Sequence, residues 1–285
     1  MEKVALVLEG GGLRGLFTAG VLDTLMEENI KVDCIIGVSA GALFGANYFS
    51  NQKGRALRYN KNYLGDKRYI SKRSLLLTGN LINKNFAYYK ITKDLDPFDN
   101  QEFLKNNKDY YATVTNVHTG LPEYIKITNV LEQLEVFRAT SAIPFASKII
   151  KINNKKYLDG GISDSIPIQK CLDLGYKKII VVLTQPQDYQ KQPISTKQMN
   201  MIKLKYHKYP KLINTMKNRY INYNNTLDKI KKLEQKKEIF VIRPSERINI
   251  PITINNKDKI QEVYNMGIKD CNKTISKLKQ YLKNR

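Results

Sequence analysis

Cys34-Ile35-Ile36-Gly37-Val38-Ser39-Ala40-Gly41, continued by Ala42-Leu43-Phe44-Gly45-Ala46-Asn47-Tyr48-Phe49, is the stretch that decides the fold. Cys34 to Ile36 is a short apolar run of the kind that forms a buried strand. Ala42 to Phe49 reads as a helix. Between them stands a G-x-S-x-G pentapeptide, and strand, G-x-S-x-G, helix is the context of a nucleophile elbow. Such a turn lifts a serine Oγ out of the backbone, and the flanking glycines keep Cβ atoms out of the corner. The helix that follows aims its N-terminal amides at developing negative charge. Taken alone, the pentapeptide also fits a glycine-rich turn with an incidental serine.

Upstream, Val4 to Leu8 is a continuous apolar run, as in a parallel strand covered on both faces. It enters Glu9-Gly10-Gly11-Gly12-Leu13-Arg14-Gly15. An apolar-periodic helix follows from about Leu16 to Asn29, with Phe17, Val21, Leu22, Leu25 and Met26 on one face. The opening therefore spells a right-handed βαβ unit with a glycine loop after one strand and the serine turn after the next. Gly10-x-Gly12-x-x-Gly15 formally matches a dinucleotide fingerprint. That reading needs an acid at the carboxyl end of the second strand, where this chain has Gly37-Val38-Ser39; Asp33 sits at the wrong end. The other use of such a loop is a set of exposed N–H groups beside a nucleophile.

Downstream, Arg55 to Tyr63 and Asn85 to Asp94 read as basic helices. Leu75 to Gly79 reads as a loop or short apolar contact, and Asp99 to Glu102 as a capped helix start. Tyr110 to Val117 and Glu123 to Ile127 are β-rich, and Val130 to Arg138 reads as a helix. Ile149 to Leu158 reads as a hairpin turning at Asn153-Asn154 and delivers Asp159-Gly160-Gly161. Pro167 to Leu174 reads as a helix, Lys178 to Leu183 as a buried strand, Glu238 to Pro244 as a last strand and Lys257 to Leu282 as a final helix. No linker or repeat interrupts the chain. The expectation is one α/β domain over residues 1–285, with a motif-bearing core over 1–185 and a basic C-terminal part over 186–285.

Of 285 residues 42% are apolar, enough for a substantial core, and the net charge is +22. Basic chains attract nucleic acid or anionic membranes, but no nucleic-acid motif or zinc-finger spacing appears, and nucleic acid is not expected. The Lys197–Lys237 stretch is the densest in charge, with Tyr206, Tyr209, Tyr220 and Tyr223 interleaved. It reads as a solvated face of packed helices, with peripheral contact to an anionic membrane as the alternative. Cys34, Cys171 and Cys271 include no C-x-x-C pair and read as buried thiols in a reducing compartment. No run approaches the roughly 20 apolar residues of a membrane span, and the first strand begins too early for a leader. The expected location is cytoplasmic, with or without a membrane surface. Oligomeric state is not legible.

A serine needs a base, and the chain has two histidines, His118 and His207. Neither has a motif around it. Asp159, at a strand end before two glycines, is the better candidate, although a free carboxylate with pKa near ~3.9 is feeble unless its site shifts it. Together, Gly10-Gly11-Gly12-Leu13-Arg14-Gly15, Gly37-Val38-Ser39-Ala40-Gly41, Ser141-Ala142-Ile143-Pro144 and Asp159-Gly160-Gly161 resemble the ordered blocks of the patatin-like phospholipases. The resemblance implies a three-layer α/β/α fold with a mainly parallel sheet. It implies a lipid acyl hydrolase with a Ser–Asp dyad and no catalytic histidine. Ser39 would be the nucleophile and Asp159 the base. Gly11 and Gly12 would form the oxyanion hole, with Arg14 stabilising the loop or the charge near it. No metal or organic cofactor is implied. A carboxylesterase or thioesterase acting on soluble esters, and a membrane-surface regulatory protein, are the other readings.

Overall fold

The computed structural model describes residues 2–251 and 253–283. In chain order the elements are β1 Val4–Leu8, α1 Gly15–Glu27, β2 Cys34–Val38, α2 Ala40–Phe49, α3 Arg55–Tyr63, α4 Lys72–Thr78, a π-helical segment Lys84–Leu95, and α5 Asn100–Lys105. They continue with β3 Asp109–Asn116, β4 Pro122–Lys126, α6 Leu134–Thr140, β5 Ile150–Ile152, β6 Lys155–Asp159, α7 Ile168–Asp173, β7 Lys178–Val182, α8 Thr196–Lys205, α9 Pro210–Gln235, β8 Ile239–Ile242 and α10 Lys257–Lys283.

The strands form one sheet in the order β5-β6-β3-β2-β1-β7-β8, with β4 paired to β3. The five strands from β3 to β8 are mutually parallel. β4, β5 and β6 run antiparallel to their partners. Strand residues alternate between two apolar layers, as the pleat requires. Leu6, Leu8, Ile35, Ile180 and Val182 pack with α1, α2 and α10 on one face. Ala5, Val7, Cys34, Ile36, Ile179 and Val181 pack with Ile168 and Cys171 of α7 and Tyr223 and Ile230 of α9 on the other. This is the expected three-layer α/β/α fold with a mainly parallel sheet.

One detail of register creates the site. β2 pairs with β3 as far as Val38↔Thr113. The next residue of β3, Val114, pairs with Asp159 of β6. β4 holds the opposite edge of β3 throughout, from Tyr111 to Thr115. So β2 and β6 share one edge. Where β2 turns away into Ser39, β6 takes over from the other direction and ends on Asp159. Residues 120 positions apart are thus adjacent by pairing alone.

Local differences from the sequence expectation have physical reasons. Leu75 to Gly79 belongs to helix α4, capped by Ser71, whose side chain accepts from the Ser74 amide, and closed by Gly79 in the left-handed region. Three successive leucines carry no periodicity to reveal it. Asn85 to Asp94 is helical but wound as a π-helix, a difference that so few turns of sequence do not encode. α6 starts only at Leu134 because Gln133 turns back, its side chain accepting from the amides of Thr128 and Asn129. The hairpin turns at Asn153 and Asn154, both at positive φ. Cys34, Cys171 and Cys271 are buried and unpaired with one another. Among the described residues no helix is long and apolar enough to cross a membrane.

Candidate active site

Ser39 sits between β2 and α2 with φ 51° and ψ −122°, a conformation sparsely populated by L-residues and characteristic of functional strain. The chain is forced into it by close packing on both sides. A Cβ on Gly37 would lie 2.7 Å from the Ala42 amide, and one on Gly41 2.7 Å from the Leu8 carbonyl oxygen. The Ser39 amide donates to Thr140 Oγ1 at 2.9 Å, and that hydroxyl donates to the Thr113 carbonyl at 2.6 Å. The strained turn is therefore pinned to β3 through α6. The elbow serine is 6% exposed.

Asp159 is 7% exposed. Its Oδ1 accepts from the Gly161 amide at 2.8 Å, and Ser39 lines the same cavity close enough for its hydroxyl to favour the charged carboxylate. Burial raises its pKa from about 3.8 to about 6, against the opposing pull of the Gly161 amide, the Ser39 hydroxyl and the Arg219 charge. Desolvation disfavours the charged form more than these groups restore it. The result is a carboxylate far better matched to accepting a proton near neutrality than a free one.

Gly10, Gly11, Gly12, Leu13 and Arg14 line a cavity of about 210 Å³ together with Ser39, Ile143, Pro144, Asp159, Gly161, Ile162, Arg219 and Ile250. All four sequence blocks thus meet in one cavity. The glycine loop is held from below: the Gly10 amide donates to Ser165 O at 3.2 Å. Glu9 is buried, accepting from the Thr184 amide at 2.5 Å and from the Tyr223 hydroxyl at 2.6 Å. These anchors leave the loop backbone fixed beside the elbow.

The histidines are elsewhere. His118 is exposed, edge-on to Tyr209 at 5.1 Å, and His207 is exposed with Nδ1 3.1 Å from Leu204 O. Asp33 accepts from the Val4 amide at 2.9 Å and pairs with Lys108 at 2.6 Å, at the far end of the sheet from the glycine loop. It has no part in the cavity, which removes the dinucleotide reading. Four contributors were not singled out in the sequence: Thr140, Glu9, Tyr223 and Arg219. Arg219 reaches the cavity from α9, and its Nε donates to Gly161 O at 2.5 Å. It is one cation among many in a basic stretch, with no local signal to distinguish it.

Comparison with known proteins gives the class. The family model described as Patatin-like phospholipase matches residues 6–172, more than half of the chain, and a domain of unknown function, DUF6363, matches residues 209–283. The uncharacterized protein YjjU of Escherichia coli (strain K12) is 30% identical over 270 residues, covering 93% of this chain and 75% of the relative. Lysophospholipase nte1 of Aspergillus fumigatus is 28% identical over 186 residues, 64% of this chain but 12% of that much longer protein. VipD of Legionella pneumophila, a solved structure, aligns over 97% of this chain and 67% of its own at 12% identity, with a TM-score of 0.48. The chain is a lipid acyl hydrolase. It belongs to the patatin-like phospholipase family.

Proposed function

We propose that the protein cleaves fatty-acyl esters of lysophospholipids or related lipids through Ser39 and Asp159. The observation that carries this reading is Ser39, strained at its elbow, lining one cavity with the glycine loop and with a buried carboxylate whose pKa burial raises. Ser39 Oγ attacks the acyl carbonyl and its proton passes to Asp159. The amides of Gly11 and Gly12 hold the oxyanion, contacts worth roughly 3–4 kcal/mol per donor in other systems. Collapse expels the alcohol, which takes the proton from Asp159. Water then attacks the acyl-enzyme, giving its proton to Asp159, and collapse releases the fatty acid as the departing Ser39 Oγ takes that proton back, which restores the hydroxyl and the carboxylate. The lysophospholipase names of the fungal relatives accord with this substrate class. The test is labelling with a fluorophosphonate: a single adduct on Ser39 is expected, and an adduct confined to another residue, or none, would overturn the assignment.

The enzyme reaches its lipid, in this reading, by peripheral contact with an anionic membrane from a reducing, cytoplasmic location. The support is an apolar rim beside the cavity mouth. Leu76 and Leu77 of α4 are 86% and 73% exposed, and Leu204 of α8 is 80% exposed. The segment that follows α4, held to it by the Ser74 hydroxyl donating to Asn80 O, is tied to the loop containing Ile143 and Pro144: the Leu81 amide donates to Ala146 O at 2.7 Å and the Lys148 amide to Asn80 Oδ1 at 3.0 Å. α8 joins from the other side, where Lys205 covers the Phe145 ring at 4.9 Å. Lys72, Arg73, Lys148, Lys203 and Lys205 surround these apolar groups and are exposed. Each cation adds about 1 kcal/mol at an anionic surface, and each inserted leucine about 1.5–3 kcal/mol. Replacing both Leu76 and Leu77 by Asp is expected to reduce cosedimentation with phosphatidylglycerol vesicles at least tenfold without lowering the melting temperature. Unchanged sedimentation would remove this surface from the proposal. Residues 1–285 act as one unit in this reading, since β8 completes the sheet and α9 supplies Arg219 to the cavity.

A further inference from the structure

Ester hydrolysis by a serine and a carboxylate requires no cation, yet the catalytic cavity is flanked by three. Arg14 comes from the glycine loop and Arg219 from α9, and both line the cavity. Lys191 comes from the segment between β7 and α8, and interacts electrostatically with both guanidinium groups. Its position is built rather than incidental. The Lys191 amide donates to Asn224 Oδ1 at 2.9 Å and its carbonyl accepts from Asn224 Nδ2 at 3.0 Å. Its ammonium lies 4.4 Å from the centre of the Tyr223 ring. Burial first, and the neighbouring Arg219 charge second, lower its pKa to about 8, and the attraction of buried Glu9 only partly offsets them.

The acids nearby are already engaged. Glu9 is buried against the Thr184 amide and the Tyr223 hydroxyl, and Asp159 faces Ser39 and Gly161. Arg14 Nε is buried and meets no hydrogen-bond partner among the described residues. Bringing three half-buried cations together is unfavourable unless an anion is placed among them. The planar guanidinium pairs two N–H donors with two phosphate oxygens, and an ammonium adds a compact charge. Two of the three, Lys191 and Arg219, lie outside residues 6–172, and Arg219 lies in the segment 209–283 whose family match carries no function.

We propose that Arg14, Lys191 and Arg219 form an anion subsite beside Ser39 that takes the phosphate of a phosphate-bearing acyl ester, with α9 supplying the preference for such esters over neutral glycerides. The preference rests on the hydrolase reading above, so the test uses binding rather than turnover. The Ser39→Ala protein is titrated with decyl phosphate, with neutral monodecanoylglycerol and with inorganic phosphate. Decyl phosphate is expected to bind at least tenfold more tightly than either of the others. Adding Lys191→Met or Arg219→Gln should cut that affinity about tenfold while changing the affinity for the neutral glyceride by less than twofold, and Arg219→Lys should restore part of the loss. Equal affinities for decyl phosphate and the glyceride would overturn the subsite, as would equal losses for both on substitution. Inorganic phosphate binding as tightly as decyl phosphate would overturn the substrate assignment, because the acyl chain would then contribute nothing. Absence of turnover in the unsubstituted enzyme would count against the hydrolase reading and leave these affinities to stand or fall by themselves.

Discussion

Ser39→Ala is expected to lower hydrolysis of a short-chain nitrophenyl ester and of a lysophospholipid by at least ~10⁴-fold, the scale of nucleophile removal in serine hydrolases. The loss should be chemical and not structural. The strained backbone at φ 51° is imposed by the packing of Gly37 and Gly41 against Ala42 and Leu8, and alanine inherits that geometry without further steric demand. The amide bond from residue 39 to Thr140 Oγ1 involves no side-chain atom of Ser39. What disappears is one hydroxyl facing Asp159, so stability should stay within about 1 kcal/mol of the starting protein. Kinetics, fluorophosphonate labelling and a melting curve decide the matter together. Turnover that survives in the alanine protein would sink the assignment of Ser39, whatever its melting temperature.

The first 50 residues were legible because every level agrees there. A strand buried on both faces must be continuously apolar, and Val4 to Leu8 and Cys34 to Ile36 are so. A chain that leaves a strand and immediately enters a helix through a crowded corner needs glycine at the points of contact, which the pentapeptide supplies at Gly37 and Gly41. Asp159 was legible for a different reason: a hairpin turning on two asparagines ended on an acid followed by two glycines. That hairpin's pairing with β3 was not legible, because nothing local says that β6 takes the edge β2 leaves. The proximity of Ser39 to Asp159 therefore came from the resemblance and not from the residues themselves.

The basic stretch shows the opposite case. Lys211, Lys217, Lys231 and Lys232 are exposed while Leu212, Met216, Tyr223 and Ile230 are buried against the sheet and its end. The expectation of a solvated face on packed helices describes these side chains well. Arg219 breaks the pattern by lining the cavity, and only long-range packing decides which cation does so. Its placement is invisible in a count of charge, since +22 summed along the chain says nothing about which cation faces the cavity.

Asp159→Asn is expected to abolish turnover and at the same time to stabilise the fold. An acid whose pKa is about 6 when folded and about 3.8 when unfolded binds its proton more tightly in the native state. Stability therefore falls as pH rises between those two values, and the deficit persists at all higher pH. At about 1.4 kcal/mol per pKa unit, the ionised Asp159 destabilises the native state by about 3 kcal/mol near pH 8. Asparagine removes the charge and keeps an Oδ1 to accept from the Gly161 amide. Its melting temperature should exceed that of the starting protein by several degrees at pH 8, taking roughly 2–4 °C per kcal/mol. The difference should vanish near pH 4, where Asp159 is protonated in the native state. Activity should move the other way. Asparagine cannot accept the Ser39 proton, and a loss of at least ~10³-fold is expected from removal of a partner in such a unit. The unsubstituted enzyme should lose activity in proportion to protonation of one group as pH falls through about 6. A buried aspartate kept only for structure would give a less stable asparagine protein at pH 8 and no arm near pH 6 in the rate profile. Either result would show that residue 159 is not a base held ionised against the cost of its own burial.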